Sequence, residues 1–335
     1  MKKMNHTSIK MAVAILSAII FAGCEEEVFI YEPGNLVPKT VDQDPGLPSI
    51  IVNGAQLHAE AFGPADSALV IILHGGPGSD YRYLLRCKEI ANQGYRVVFY
   101  DQRGSGLSQR FPKSVYSIQV MLNDLGGVID HYRTSPSQKV FLLGQSWGAM
   151  LATAYVNVYP TAISGLILGE PGGLIWQDVL DYVSRSREAR ITSELLNDIT
   201  YMDQFITGKE NQQEILDYKY GLLSFVEDDK DNPIGDEELV PFWRSGAVCN
   251  MALFERGNAE KPDWTTNLHL YDTEILFLYS ENNRAYGKEW AEKISSAYPN
   301  VQLFEVMGAG HDMLTFNTGW NNSYPTMLTY LSALR

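Results

Sequence analysis

The sequence has little cysteine and shows no cluster of metal-ligating side chains. Its 335 residues include three cysteines and six histidines, and Cys24, Cys87 and Cys249 do not have the spacing of a metal site. We therefore predict no metal and no cofactor. Cys87 and Cys249 lie in distant predicted segments, which argues against a disulfide between them.

Basic residues are also scarce. The chain has 26 Lys and Arg against 40 Asp and Glu, which gives a formal net charge of −14. Nucleic-acid binding needs a basic surface, so the composition argues against this function. Internal repeats and low-complexity tracts are likewise missing.

The sequence has no apolar run long enough to span a bilayer near its N-terminus. Residues 11–21 are apolar, follow Lys2 and Lys3, and precede Cys24 after an Ala-Gly pair, which is typical of a secretory signal. The junction resembles the lipobox of bacterial lipoproteins. We therefore predict a signal peptide over 1–23, lipidation of Cys24, and a tether over 24–48. The protein would be exported and anchored to the bacterial outer membrane, and the sequence leaves open whether it faces the periplasm or the surface.

Buried strands alternate with helical patterns from residue 49 onward. Apolar runs such as 69–73, 96–100 and 140–143 are separated by amphipathic segments, a pattern that predicts a doubly wound, mostly parallel α/β sheet. The pattern stops after residue 171 and resumes near 271. We expect a core formed by 49–171 and 271–335, with residues 172–270 inserted as a mostly helical, acidic cap.

A G-x-S-x-G sequence at residues 144–148 carries the chemistry. It stands between a buried β-run and a helical pattern, which is the context of a nucleophile elbow. The glycines on either side of Ser146 leave room for a tight, strained turn. Ser146 is therefore the expected nucleophile.

Two further loops complete the expected site. His311 lies on a Gly-rich loop after the last predicted strand, where it can act as the base for Ser146. The sequence HGGPG at 74–78 follows another strand, so we expect oxyanion donors at the backbone N–H groups of Gly76 and Trp147. The sequence DQRGSG at 101–106 is expected to brace a loop.

These motifs resemble the characteristic set of the proline iminopeptidase family, the serine aminopeptidases within the α/β-hydrolase fold. The resemblance implies a Ser–His–acid triad, a helical cap, and cleavage of an N-terminal residue, often proline. In that family, acidic residues of the cap and pocket bind the free α-ammonium of the substrate. Glu237, Glu238 and Glu255 are the candidates for this role here.

The chain departs from the family at the triad acid. Asn283 stands where the resemblance places an aspartate after the strand at 275–279, and an amide cannot stabilise an imidazolium by charge. Glu170 follows a neighbouring predicted strand and precedes a rigid Pro-Gly-Gly turn, so we expect it to be the acid. Glu281 and Asn283 remain alternatives.

Three functions remain open. The leading hypothesis is an aminopeptidase that acts on short peptides through an acyl-enzyme. The second is an esterase, lactonase or amidase that uses the same triad on a small ester or amide. The third, motivated by Asn283, is a non-catalytic surface binding protein. The sequence does not predict the oligomeric state.

Overall fold

The computed structural model describes residues 36–186, 212–226, 232–236 and 238–335. The predicted signal, Cys24 and Glu237 lie outside this part of the chain. Within it, eight strands form one sheet: β1 (Ser49–Val52), β2 (Ala55–Phe62), β3 (Leu69–Leu73), β4 (Arg96–Tyr100), β5 (Val140–Gln145), β6 (Gly165–Gly169), β7 (Ile275–Ser280) and β8 (Val301–Val306).

The sheet is mostly parallel, with the order β1-β2-β4-β3-β5-β6-β7-β8. β1 and β2 form an antiparallel hairpin, and β2 pairs antiparallel with β4. The remaining neighbours pair in parallel. The predicted doubly wound architecture is confirmed, and it is that of the α/β-hydrolase fold.

Helices cover both faces of the sheet, because alternate residues of the central strands point to opposite faces. Leu69 and Ile71 pack into one apolar cluster, whereas Val70 and Ile72 pack into the other. The α-helices are α1 (Ile118–Tyr132), α2 (Trp147–Val158), α3 (Trp176–Ser186), α4 (Gln212–Val226), α5 (Ala247–Glu260), α6 (Gly287–Ser295) and α7 (Asn317–Leu334). A 3-10 helix at Arg82–Gln93 packs with α7.

Helices α3, α4 and α5 belong to the segment between β6 and β7, where the sequence predicts the cap. This segment is anchored to the loop after β3. Asp80 accepts hydrogen bonds from the backbone N–H groups of Trp243 (2.6 Å) and Arg244 (3.0 Å). The Asn250 side chain donates to the Pro77 carbonyl at 2.6 Å. The inserted segment therefore rests on the loop that is expected to hold the oxyanion.

Residues 36–48 do not behave as the expected tether. Val37, Thr40 and Val41 are buried, and the Val41 N–H donates to the Leu107 carbonyl at 2.8 Å. The apolar side chains lose contact with water by packing on the core, which outweighs the turn-forming composition that suggested a tether. In the described ranges, no helix has both the length and the apolarity needed to cross a membrane.

Candidate active site

The expected site residues converge at one edge of the sheet. Parallel strands end at the same edge, and ligands bind there in open α/β sheets. Ser146 follows β5, Glu170 follows β6, and Asn283 lies just after β7. His311 lies in the loop that connects β8 to α7. The topology thus brings together segments that are far apart in the sequence.

Ser146 occupies a strained turn between β5 and α2. Its backbone has φ 56° and ψ −121°, a conformation that non-glycine residues rarely adopt. The flanking glycines are required sterically. A Cβ on Gly148 would lie 1.9 Å from the Leu73 carbonyl oxygen, and one on Gly144 would lie 2.4 Å from the Gly148 carbonyl oxygen. The turn is a nucleophile elbow.

Ser146 and His311 both line a cavity of about 540 Å³. This size falls within the usual range for small-molecule sites. Core residues Gly76 and Trp147 line it as well. Its other wall comes from the inserted segment and is largely apolar, with contributions from Trp176, Val179, Tyr182, Leu216, Met251 and Phe254.

Glu170 contacts His311, as the sequence predicts. The Nδ1 atom of His311 lies 2.7 Å from Oε2 of Glu170, whose side chain is fully buried. A carboxylate only accepts hydrogen bonds, so Nδ1 carries the proton and Nε2 is left to act as the base. Glu170 follows β6 directly, and its own N–H donates to the Leu278 carbonyl of β7 at 3.1 Å.

The Glu170 carboxylate has partners at both oxygens. Oε1 accepts from the N–H (2.8 Å) and the hydroxyl (2.7 Å) of Ser280. Oε2 accepts from the Asn283 amide at 2.7 Å in addition to His311. Asn283 therefore holds the Glu170 carboxylate in place. The carboxylate that bonds the His311 imidazole is that of Glu170. An aspartate at position 283 would instead place a second carboxylate beside Glu170.

Glu281 does not meet His311. Its Oε2 accepts from the Gly308 N–H at 2.7 Å on the exposed side of the His311 loop. Side chains alternate along an extended strand end, so Ser280 and Glu281 point in different directions. The structure thus removes Glu281 from the candidates for the acid.

The expected oxyanion donors, Gly76 and Trp147, both line the cavity with Ser146. Trp147 is the first residue of α2, so its N–H has no acceptor within the helix. In the loop after β3, the Gly75 N–H already donates to the Tyr83 hydroxyl at 2.7 Å. Gly76, with φ 112°, lines the cavity. The Gly76 and Trp147 amides are therefore the two donors that the geometry offers to a reacting oxygen.

Gln145 is a site residue that sequence reasoning missed. It accepts from the Tyr83 hydroxyl at 2.6 Å, and its amide donates to the His311 carbonyl at 2.8 Å. Since the same Tyr83 hydroxyl accepts from Gly75, Gln145 connects the oxyanion loop, through Tyr83, to the loop that carries His311. Gln145 occupies an x position of the G-x-S-x-G pattern, where any residue is allowed. The motif therefore did not mark Gln145 as a site residue.

The DQRGSG loop braces the structure, as expected. Asp101 accepts from His58 Nδ1 at 2.8 Å and from the Leu107 N–H at 2.8 Å. Arg103 pairs through two bonds with Asp124, at 2.7 and 2.8 Å. Both side chains are buried, so neither is positioned to contact a substrate.

Acidic neighbours raise the pKa of His311. Burial lowers this pKa, but the hydrogen bond and charge of Glu170, together with Asp312 and Asp236, outweigh burial and raise it to about 9. The Asp312 N–H donates to Asp236 at 2.6 Å. Burial and the nearby Asp312 raise the pKa of Asp236 to about 8. The imidazolium is therefore strongly stabilised.

The three acidic residues expected at the substrate amine have different positions. Glu237 lies outside the described residues. Glu238 is exposed and is not among the residues that line the cavity. Glu255 lines the cavity, but its Oε1 is 2.6 Å from Nζ of Lys113. Within the described ranges, no group of three or more His, Cys, Asp or Glu residues is placed to hold a metal ion.

Fold and site together define the class: this protein is a serine hydrolase of the α/β-hydrolase fold. A family model described as serine aminopeptidase, S33, matches residues 64–229.

Two relatives share the region of the motifs. Epoxide hydrolase B of Mycobacterium tuberculosis is 35% identical over 117 residues, which cover 34% of this chain and 32% of the relative. Proline iminopeptidase of Thermoplasma volcanium is 38% identical over 109 residues, which cover 32% of this chain and 36% of the relative. The chain thus spans about a third of the length of these relatives.

The fold has close counterparts among solved structures. The crystal structure of proline iminopeptidase from Mycobacterium smegmatis has a TM-score of 0.55 at 15% identity, covering 85% of this chain and 99% of that one. At such identity the likeness supports the fold and not the substrate.

Proposed function

We propose that this serine hydrolase is an aminopeptidase that releases the N-terminal residue of short peptides through an acyl-enzyme. The observation that carries the proposal is the hydrogen bond from His311, which lines the same largely apolar cavity as Ser146, to Glu170. The serine aminopeptidase family model and the partial likeness to a proline iminopeptidase support the choice of peptide substrates.

The first step of the reaction forms a tetrahedral intermediate. Oγ of Ser146 attacks the scissile carbonyl, and its proton passes to Nε2 of His311. The oxygen that becomes negative is stabilised by the N–H groups of Gly76 and Trp147. Glu170 holds Nδ1–H and stabilises the imidazolium while it lasts.

The later steps form the acyl-enzyme and then hydrolyse it. The imidazolium donates its proton to the leaving amine, which breaks the C–N bond. Water then gives a proton to His311 and attacks the acyl carbonyl. His311 returns that proton to Oγ of Ser146 as the bond between Oγ and the acyl carbon breaks, which releases the acid product and restores the enzyme. A raised pKa suits this role, because His311 must hold its proton until the amine leaves.

The test compares amide substrates with free and blocked amines. A proline arylamide with a free amine should be cleaved with a kcat/KM about ten- to hundredfold above that of its N-acetyl form, because acetylation removes a charge-assisted contact. Equal values for the two substrates would refute the aminopeptidase while leaving the serine hydrolase intact.

A carboxylic ester hydrolase is the second candidate, and one observation favours it. The cavity wall is largely apolar, and Glu255, the carboxylate that lines it, is paired with Lys113. An ester with an apolar acyl group needs no ammonium-binding site. Rapid hydrolysis of short acyl esters, combined with no turnover of free-amine arylamides, would favour this function.

We also propose that the protein is lipid-anchored through Cys24 at the outer membrane, on the basis of the N-terminal sequence. Two or more acyl chains give stable membrane binding, whereas one binds marginally. Cys24→Ala should move the protein from the membrane fraction or leave it as the unprocessed precursor. Unchanged fractionation and unchanged gel mobility would refute the anchor.

A further inference from the structure

Lys219 stands apart among the charged residues of the cavity. It lies on α4 and lines the cavity together with Glu255 and His311. Glu255 pairs with Lys113, and His311 pairs with Glu170. In contrast, Nζ of Lys219 is buried and has no hydrogen-bond partner among the described residues.

Three arginines with largely buried side chains in the described part of the chain are paired. Arg103 bonds Asp124, and Arg110 and Arg244 both bond Asp217, with N–O distances of 2.7 to 2.9 Å. Such pairing is the rule, because an ammonium or guanidinium group removed from water is costly unless an anion accompanies it. Lys219 departs from that rule at the cavity wall.

The surroundings of Lys219 are suited to an anion with an apolar body. Leu216 and Tyr220 of α4 and Met251 and Phe254 of α5 line the same cavity as Lys219. An ion pair formed in an apolar, partly dry cavity is stronger than one in water. A lysine ammonium suits a carboxylate, since it is a compact charge with three donors.

We propose that Lys219 binds a carboxylate of the substrate, so that the preferred substrates are short peptides with a free carboxyl terminus. This inference rests on the proposed peptide substrates and names the group by which they are selected. Binding the carboxylate inside the cavity restricts the length of the peptide between Ser146 and Lys219. Lys219 is thus a specificity residue and takes no part in bond cleavage.

The test uses three matched peptides that share the same scissile bond. One is a dipeptide with a free carboxyl terminus, the second is its C-terminal carboxamide, and the third is a carboxamide that carries a glutamate side chain. Lys219→Met should lower kcat/KM for the free acid about ten- to hundredfold and leave the first carboxamide within about twofold. Lys288→Met removes an exposed lysine and should change neither value.

Charge reversal sharpens the test. Lys219→Glu should lower kcat/KM for the free acid more strongly than Lys219→Met does. It should raise kcat/KM for a peptide amide that ends in a positively charged aminoethyl group. If the Lys219 variants lose kcat/KM only on the carboxamide that carries a glutamate, the anion bound by Lys219 is a side-chain carboxylate. That result would overturn the proposal of a terminal carboxylate. Equal losses on acid and carboxamide, or no loss on either, would overturn the role of Lys219.

The outcome is separable from that of the proposed function. Fluorophosphonate labelling of Ser146 and an unchanged Tm show that each variant is folded with an active nucleophile. If labelling fails in Lys219→Met, Lys219→Arg keeps the charge and should retain the preference for the free acid. N-acetylated dipeptides test the proposed aminopeptidase activity independently. If blocked and free amines are cleaved equally while Lys219→Met still lowers kcat/KM for the free acid, the aminopeptidase activity is refuted and the role of Lys219 stands.

Discussion

The two walls of the cavity differ in how their charges are arranged. At the sheet edge, the Glu170 carboxylate has both oxygens bonded, by Ser280 and by Asn283 and His311. In the inserted segment, Lys219 lines the cavity, and its buried Nζ atom has no hydrogen-bond partner among the described residues. The catalytic carboxylate has its interactions complete before a substrate binds, and the Lys219 ammonium does not.

This difference separates catalysis from selection. Electrostatic stabilisation of a transition state works best when dipoles and charges are already oriented, so the catalytic acid must be held in place in advance. Selection of a substrate needs a group whose best partner arrives with the substrate. Changes at the sheet edge should therefore affect kcat on all substrates, whereas changes in the cap should discriminate among them.

The largest effect should follow loss of the nucleophile. Ser146→Ala should abolish fluorophosphonate labelling and lower kcat by about a millionfold, because nothing else in the elbow can form the acyl-enzyme. Steady-state assays on arylamide and ester substrates measure the loss. Residual turnover within tenfold of the native enzyme would place the nucleophile elsewhere.

Loss of the acid comes next. Glu170→Gln keeps the shape but removes the charge that stabilises the imidazolium, so kcat should fall by about ten-thousandfold on every substrate. Glu281→Gln is the matched control, since Glu281 bonds only the exposed Gly308 N–H among the contacts seen, and its rate should stay within about threefold. Comparable rates for the two variants would contradict the assignment of the acid.

A smaller effect should follow Asn283→Asp. The new carboxylate would lie where the amide now donates to Glu170 at 2.7 Å, so a bond is lost and two like charges meet. We expect kcat to fall about five- to hundredfold. In the double variant Glu170→Gln, Asn283→Asp, the aspartate should recover part of the activity lost in Glu170→Gln. A double variant no faster than Glu170→Gln would show that position 283 cannot serve His311.

The smallest effect concerns pH. His311 must be neutral to accept a proton, and its pKa is raised to about 9, so kcat/KM should increase with pH up to about 9. Asp236→Asn removes one of the acidic neighbours that raise this pKa and should move the inflection slightly downward. An inflection near 6.5 in the native enzyme would contradict the raised pKa. Initial rates across pH 5–10 at constant ionic strength provide the measurement.

Most of the fold and half of the site were predictable from local patterns. The apolar run of β3 and the alternation of strands with helices predicted the parallel sheet, because buried strands must be apolar on both faces. Ser146 and the loop of Gly76 were predictable because their conformations demand glycine at particular positions. Glu170 was predictable as the leading candidate for the acid from its place after a buried strand and from the missing aspartate at position 283, while Glu281 and Asn283 stayed open as alternatives.

Only the tertiary structure decided how the remaining groups meet. Gln145 links two loops and Asn283 supports Glu170 because β5 to β8 lie side by side, and a one-dimensional pattern does not state which strands are neighbours. Residues 36–48 have the composition of a tether, yet they pack on the core because a surface is available to them there. That Nζ of Lys219 has no hydrogen-bond partner among the described residues is visible only once its neighbours in space are known. The sequence by itself determined which conformations and chemistries were possible, and the packing determined which partners each group received, because pairing depends on distances that sequence separation does not encode.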